Sequence, residues 1–274
     1  MSLLILALGA GLVAGGAFGN GRISHLESVA AANLASRLGV TGGVKVDVEV
    51  DGIVGALFGR LSFAEISAAG FRIDSLPILV EDGSKRGSIG SLRLRFRDFV
   101  IRGLPVVELS ADIPGCRFDL GEATHGRIRL TRSGAGRAFA RLSEGGLATY
   151  IAHKFPALKN VVVRLDKYKA FVEAEVAFMG AHGKVYVIAD VVPRSTQLWL
   201  ENCIVFFNDH RLRDGSGDRL VASLNPVVDE ARDLGLGHSF NMQKVVSKGG
   251  FLTITGSAAI PKAADLDLPK QALP

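Results

Sequence analysis

Two cysteines in 274 residues, Cys116 and Cys203, rule out a zinc ribbon or a thioredoxin-type pair, since neither belongs to a C-x-x-C. They allow one disulfide in an oxidising compartment, or two buried thiols behaving as small hydrophobes. The six histidines, His25, His125, His153, His182, His210 and His238, stand singly and form no H-E-x-x-H, so no metal centre is expected. There is no G-x-x-x-x-G-K-[ST] phosphate loop and no G-x-S-x-G nucleophile elbow. Nothing near Cys203 in the sequence supplies the base that a nucleophilic thiol needs. These absences lead to the expectation of a protein that is not an enzyme and uses no cofactor. Aromatic residues make up only 7% of the chain, too few to interleave stacking platforms with basic residues, so nucleic acid is not an expected partner.

Long apolar runs are also scarce. The one at residues 3–18, LLILALGAGLVAGGAF, is short of the ~20 residues that span a bilayer and suits a signal-peptide core. It is read as a signal peptide or membrane anchor over residues 1–22, with Ala17-Phe18-Gly19 as a small-x-small cleavage site. No basic residue precedes the run and Arg22 follows it, so charge bias does not set its orientation. The remainder is well supplied with core-forming residues: 48% of the chain is hydrophobic and 22% charged, which predicts a folded domain over residues 23–260. Proline and the loss of large apolar residues mark 261–274 as a disordered tail.

Ser24-x-x-Glu27 has the form of a capping box and predicts a helix from there to Leu38. Strict alternation follows at Val44, Val46, Val48 and Val50, at Leu92, Leu94 and Phe96, and at Val172, Ala174, Val176 and Phe178, each a half-buried strand. Further strands are expected near 63–73, 106–113, 126–131, 161–165, 185–191, 198–207, 242–247 and 251–257, with helices over 144–155 and 217–234. Many strands and few helices predict an antiparallel α+β fold. Leu34, Leu38, Val44, Val46 and Val48 recur 117 residues later as Ile151, Phe155, Val161, Val163 and Leu165. If not coincidence, this is an internal repeat of helix and strand.

The net charge is +5, but basic residues concentrate between positions 85 and 141. Arg93, Arg95 and Arg97 share one strand face, and Arg127 and Arg129 share another. Such faces either solvate with neighbouring acids or dock on acidic phospholipid headgroups, to which the guanidinium fork is suited. The segments Val185–Val187–Ile188 and Leu198–Trp199–Leu200, continuing to Ile204 and Phe206, are apolar on both faces. Alternation groups Trp199 with Cys203 and Phe207, and Leu200 with Ile204 and Phe206. Two-sided apolarity means burial on both sides, or a core on one side and an acyl-chain groove on the other.

The order of elements resembles the LmeA-like family of phospholipid-binding envelope proteins. The matching segments begin with residues 32–40 (ANLASRLGV) and 43–48 (GVKVDV), then 53–61 (IVGALFGRL) and 147–152 (LATYIA) leading to 161–163 (VVV). They end with 224–229 (LNPVVD) and 250–258 (GFLTITGSA). The resemblance implies a strongly curved antiparallel sheet wrapping one or two helices, similar to tubular lipid-binding domains. It also implies phospholipid, most simply acidic, as partner, and a site on the extracytoplasmic side of a bacterial inner membrane, anchored or secreted. Arg93, Arg95, Arg97, Arg127 and Arg129 would then hold headgroups. Leu198, Trp199, Leu200, Ile204, Phe206, Val185, Val187 and Ile188 would line the chains. The alternative is a non-catalytic scaffold with a filled interior, bound to a protein of a membrane complex.

Overall fold

The computed structural model describes residues 16–40, 43–52, 59–76, 78–84, 86–124, 127, 129–167, 169–178, 181–213 and 215–263. Most of the N-terminal apolar run, the short segment 53–58 and most of the tail expected over 261–274 lie outside them. Helix α1 (Gly16–Leu38) leads into β1 (Lys45–Val50), β2 (Arg60–Ala69), β3 (Arg72–Ile73), β4 (Gly87–Ile101) and β5 (Leu104–Phe118). After α2 (Leu120–Thr124) come β6 (Leu130–Arg132), β7 (Gly136–Ser143) and α3 (Glu144–Lys154). Next are β8 (Lys159–Leu165), β9 (Ala170–Phe178), β10 (Ala181–Arg194), β11 (Gln197–Phe207) and β12 (His210–Arg211). The chain closes with α4 (Ser216–Leu224), β13 (Val228–Asp229), β14 (Phe240–Lys248) and β15 (Phe251–Ala258).

The fold is α+β and mostly antiparallel. A first sheet runs β1-β2-β4-β5-β7-β15-β14, with β3 beside β4 and β6 beside β5. Its β2–β4 and β3–β4 pairs are parallel, a departure from the all-antiparallel expectation. A second sheet, β12-β11-β10-β9-β8 with β13 on β11, curls into a half-barrel. Helix α3 packs between β8 of the second sheet and β5 and β7 of the first, and α4 packs on β11. The sheets also meet directly where the Met242 N–H donates to the Ser195 carbonyl at 2.7 Å. Both contribute to one hydrophobic core.

The first sheet kinks along two lines. A regular strand buries every second residue, but Ile89 and Leu92 are both buried across Gly90-Ser91, and so are Ile113 and Cys116 across Pro114-Gly115. Gly115 has φ +64°, and a Cβ on Gly90 would lie 2.6 Å from the Ser62 carbonyl oxygen. Ser62 is itself where β2 slips register against β1. The second line passes between Ala68 and Phe71 and between Phe96 and Phe99, both buried pairs, at Gly70 and Asp98, which take positive φ. Each line is a bulge-type irregularity that exchanges the inward and outward sets of the strand. Hence the expected single strand over 63–73 is two strands, broken at Gly70.

Other departures have local causes. The helix expected over 217–234 ends at Leu224, because the residue preceding Pro226 disfavours helical ψ and Val228–Asp229 pairs with β11 instead. Helix α1 starts before Ser24, and Glu27 of the expected capping box serves a different end: its Oε1 accepts the Val48 N–H at 2.8 Å. Of the strand expected over 126–131, Leu130 and Thr131 are strand, within β6, whereas the described residues Arg127 and Arg129 are not. Strand β7, not foreseen at all, sits mid-sheet between β5 and β15.

The 117-residue repeat has a structural counterpart. The Leu165 N–H donates to Glu144 Oε1 at 2.6 Å, and both residues stand 117 positions after Val48 and Glu27. In each case a helical glutamate holds the following strand by one backbone N–H. Leu34 and Val46, and their counterparts Ile151 and Val163, are all buried.

Candidate functional site

The inward face of the first sheet does not close completely on what lies against it. A cavity of about 120 Å³ remains, walled by Leu94, Phe96 and Phe99 of β4, Ala111 and Ile113 of β5, Ala138 and Ala140 of β7, and Ile254 of β15. Alanines on the central strands leave the room. The second sheet contributes Leu198, and the far wall is the strap between β13 and β14, through Leu234, Leu236, Ser239 and the adjoining Phe240. Among the described residues that line it, Ser239 alone has a polar side chain. One end is stiffened by an aromatic cluster, with Phe71 stacked on Phe99 at 4.9 Å and edge-on to Phe96 at 5.5 Å.

Two carboxylates pin the strap. Asp233 Oδ2 accepts from the Lys154 ammonium, from the buried Tyr150 hydroxyl at 3.3 Å and from the Asp229 N–H at 3.0 Å. Lys154 also donates to the carbonyls of Pro226 and Val227, at 2.7 and 3.1 Å. Burial alone would raise the Asp233 carboxyl, but the hydrogen bonds from Lys154 and Arg232 hold it below the usual carboxylate range. Burial also raises the Tyr150 phenol, helped by the Asp233 charge.

Glu230 is 1% exposed. Its Oε1 accepts from the Ser239 hydroxyl at 2.6 Å and the Phe240 N–H at 3.0 Å, while Oε2 has no partner among the described residues. Burial raises this carboxyl, outweighing those bonds and the charge of His238. An acid whose folded pKa lies above its unfolded value holds a native proton that the unfolded chain has released, so its contribution falls as pH rises from the ordinary ~4.3 through the raised value. Glu230→Gln lacks that dependence. Denaturant titrations from acid to neutral pH should therefore show the wild type losing stability relative to the variant as pH rises. A pH-independent difference would mean that Glu230 ionises as an ordinary surface acid.

The arginines singled out from sequence all lie outside the cavity, most of them beside acids. Arg93 lies 3.5 Å from Glu65, 3.6 Å from Asp112 and over the Phe63 ring. Arg95 reaches Glu65 at 3.3 Å, Arg127 reaches Glu122 at 2.5 Å and Arg129 reaches Glu81 at 3.1 Å. Arg97 is exposed and faces Glu108 across the β4–β5 pair. Exposed pairs of this kind are screened by solvent and add little to stability.

Of the residues expected to line acyl chains, only Leu198 touches the cavity. Val185, Val187 and Leu200 are buried in the core. Trp199, Ile188, Ile204 and Phe206 are half-buried on the opposite face of the second sheet. The face grouping read from alternation is corrected by a bulge: Asn202 has φ +51°, and the β10–β11 register slips beside it. Leu200 thus shares the inner face with Cys203 and Phe207, which pack on the core, while Trp199 falls with Ile204 and Phe206. The Arg194 guanidinium covers the Trp199 ring at 4.6 Å, and the indole N–H donates to Gln197 at 2.8 Å. The cavity walls from β7 and the strap were not anticipated.

Both cysteines are free, in different sheets, and burial pushes the Cys203 thiol up to about 11. It is therefore protonated at neutral pH, the unreactive form. Among the described residues no three His, Cys, Asp or Glu side chains are placed to hold a metal ion. No helix among them is long and apolar enough to cross a membrane. Compared with known protein families, with proteins of described function and with solved structures, the chain matches none.

Proposed function

We propose that the protein binds phospholipid by taking an acyl chain into the cavity between the first sheet and the 230–239 strap, on the extracytoplasmic side of a bacterial membrane. The supporting observation is the lining: among the described residues its side chains are apolar throughout, apart from Ser239. A site with no charge, metal-ligand cluster or converging polar groups selects for apolar bulk, and each buried methylene contributes about 0.8 kcal/mol. The location in this reading is supported by the sequence alone, through the apolar run at 3–18 and an order of elements that resembles the LmeA-like family. At about 120 Å³ the cavity is below the ~300 Å³ lower end of small-molecule pockets and near the ~150 Å³ of an engineered benzene site. A full chain therefore enters only with movement of the strap. Gly235, Gly237 and His238 give the strap three positive-φ residues at which to move.

Native mass spectrometry with lipid extraction, on the full chain purified without harsh detergent, tests this. The expected result is one phospholipid per chain for the wild type and none for Ala140→Met, which fills the cavity at a cost of about 1–3 kcal/mol. A wild type that stays bare after incubation with vesicles removes the carrier reading. The small volume would then favour the scaffold reading, whose partner is a protein of a membrane complex.

A further inference from the structure

Beyond the first kink line, the outward row of the first sheet runs Arg60, Ser88, Arg117, Arg132 across β2, β4, β5 and β6. Arg117 and Arg132 are direct cross-strand partners, both exposed. Like charges placed opposite one another destabilise a strand pair. The neighbouring row solves the same problem with alternating signs, Glu65, Arg93, Asp112, Arg137. Here no acid intervenes. Among the described residues neither Arg117 nor Arg132 has an ion pair, and three of the nearby acids are occupied: Glu81 with Arg129, Glu122 with Arg127, and Asp119 with the backbone N–H groups of Ser84 and Gly121. Asp82, two residues beyond the Val80–Leu130 bridge, makes no ion pair with either arginine among the described residues.

We infer that Arg117 and Arg132, with the Ser88 hydroxyl beside them, form a phosphate-binding pair by which the protein docks on an anionic phospholipid surface. Guanidinium forks on adjacent paired strands can both donate to the oxygens of one phosphodiester, and Ser88, opposite Arg117 on the next strand, can add a third donor. The occupant that fits is an anionic lipid surface, because two exposed cations stand opposite one another with no acid between them and complement its charge. The pair also stands at the end of the sheet where the cavity reaches Ile113 and Ile260, and the Ile260 N–H donates to Ser133, next to Arg132. Docking there brings the membrane to the cavity's end. The assignment rests on the lipid-binding reading for its partner, and on the unpaired arginines for its position.

The test is co-sedimentation of the full chain with vesicles of equal parts phosphatidylcholine and phosphatidylglycerol. Arg117→Gln with Arg132→Gln should weaken binding about thirtyfold, about fivefold per cation near an anionic surface. Arg93→Gln with Arg95→Gln removes the same formal charge from the same face and should cost only a few-fold, because those groups are already paired. Equal losses for the two pairs, or none for the first, overturn the site. Saturable binding of inorganic phosphate without vesicles, lost in the Arg117/Arg132 variant while its vesicle binding persists, also overturns the membrane assignment. Lipid extraction from the same preparations separates the two failures. Extracted lipid together with vesicle binding indifferent to Arg117 and Arg132 sinks the docking pair alone. A bare wild type sinks the cavity reading, and the pair then stands or falls on the vesicle comparison.

Discussion

Replacing Lys154 with methionine is expected to remove about 3–5 kcal/mol of folding stability, lowering Tm by roughly 6–20 °C. The side chain is 15% exposed and holds three acceptors at once: the Asp233 carboxylate and the carbonyls of Pro226 and Val227. Methionine matches its bulk but leaves Asp233, 14% exposed, as a buried charge whose remaining cationic partner is the exposed Arg232. Leaving one member of a buried pair uncompensated costs more than the pair contributed. Adding Asp233→Asn should recover part of the loss, since the amide oxygen still accepts from Tyr150 and Asp229 while the charge is gone. The pH dependence has a definite sign. The lowered Asp233 carboxyl contributes stability that is present above its unfolded value near 3.9 and lost as pH falls through the lower folded value. The gap between wild type and Lys154→Met should therefore close in strong acid. A loss under about 1 kcal/mol would mean that the strap is held by its other contacts.

Phe96→Ala should cost about 3–5 kcal/mol, and should also change what the cavity accepts. Phe96 is 5% exposed, meets Phe71 and Phe99 edge-on at 5.5 and 6.0 Å, and forms part of the cavity wall. Its removal enlarges the space without adding a polar group. A small apolar ligand such as benzene should then restore part of the lost Tm, because a ligand bound only by the folded state stabilises it in proportion to RT ln(1 + [L]/Kd). Acyl-chain uptake should increase with Phe96→Ala and vanish with Ala140→Met. Benzene that stabilises wild type and Phe96→Ala equally would show that the two spaces are not continuous.

Where a strand in this chain is regular, its sequence reveals it. The valines at 44–50 and the Leu92, Leu94, Phe96 series alternate with charge, and both segments are strands with those residues inward or half-buried. The face that carries Arg93 and Arg95 was legible too. Their partners were not: Glu65 and Asp112 come from neighbouring strands, and only tertiary register brings them alongside. Strand β7 alternates as well, with Ala138, Ala140 and Leu142 against Arg137, Phe139 and Arg141. Alanine carries a weak apolar signal and its contrast with phenylalanine is inverted, so the pattern does not stand out. Those alanines are the residues that leave the cavity open. The Asn202 bulge defeats parity counting because a positive φ at a single asparagine has no signature in the residues around it. The strap sequence, Asp229-Glu230-Ala231-Arg232-Asp233, has the composition of a solvated loop. Its Asp229 and Glu230 are nonetheless buried, because each carboxylate finds donors far off in sequence or across the strap. Asp233 takes those of Lys154 and Tyr150, Asp229 that of Gln197, and Glu230 those of Ser239 and Phe240.

The strand order of the first sheet also fixes when the cavity can form. Strand β7 is paired on one side with β5, made just before it, and on the other with β15, made near the end, with Leu142 opposite Leu252. The whole second sheet is synthesised between those two strands, and its neighbours β8 to β12 join by local hairpins. Local hairpins close quickly, whereas a pairing across so long an intervening segment raises contact order and closes slowly. As the chain is made, the half-barrel can assemble while β7 still offers an open backbone edge, and Ile254, which walls the cavity, arrives with β15. The cavity therefore cannot be complete until β15 has been made. Until then β7 is the edge at which the unfinished chain is most exposed to mispairing.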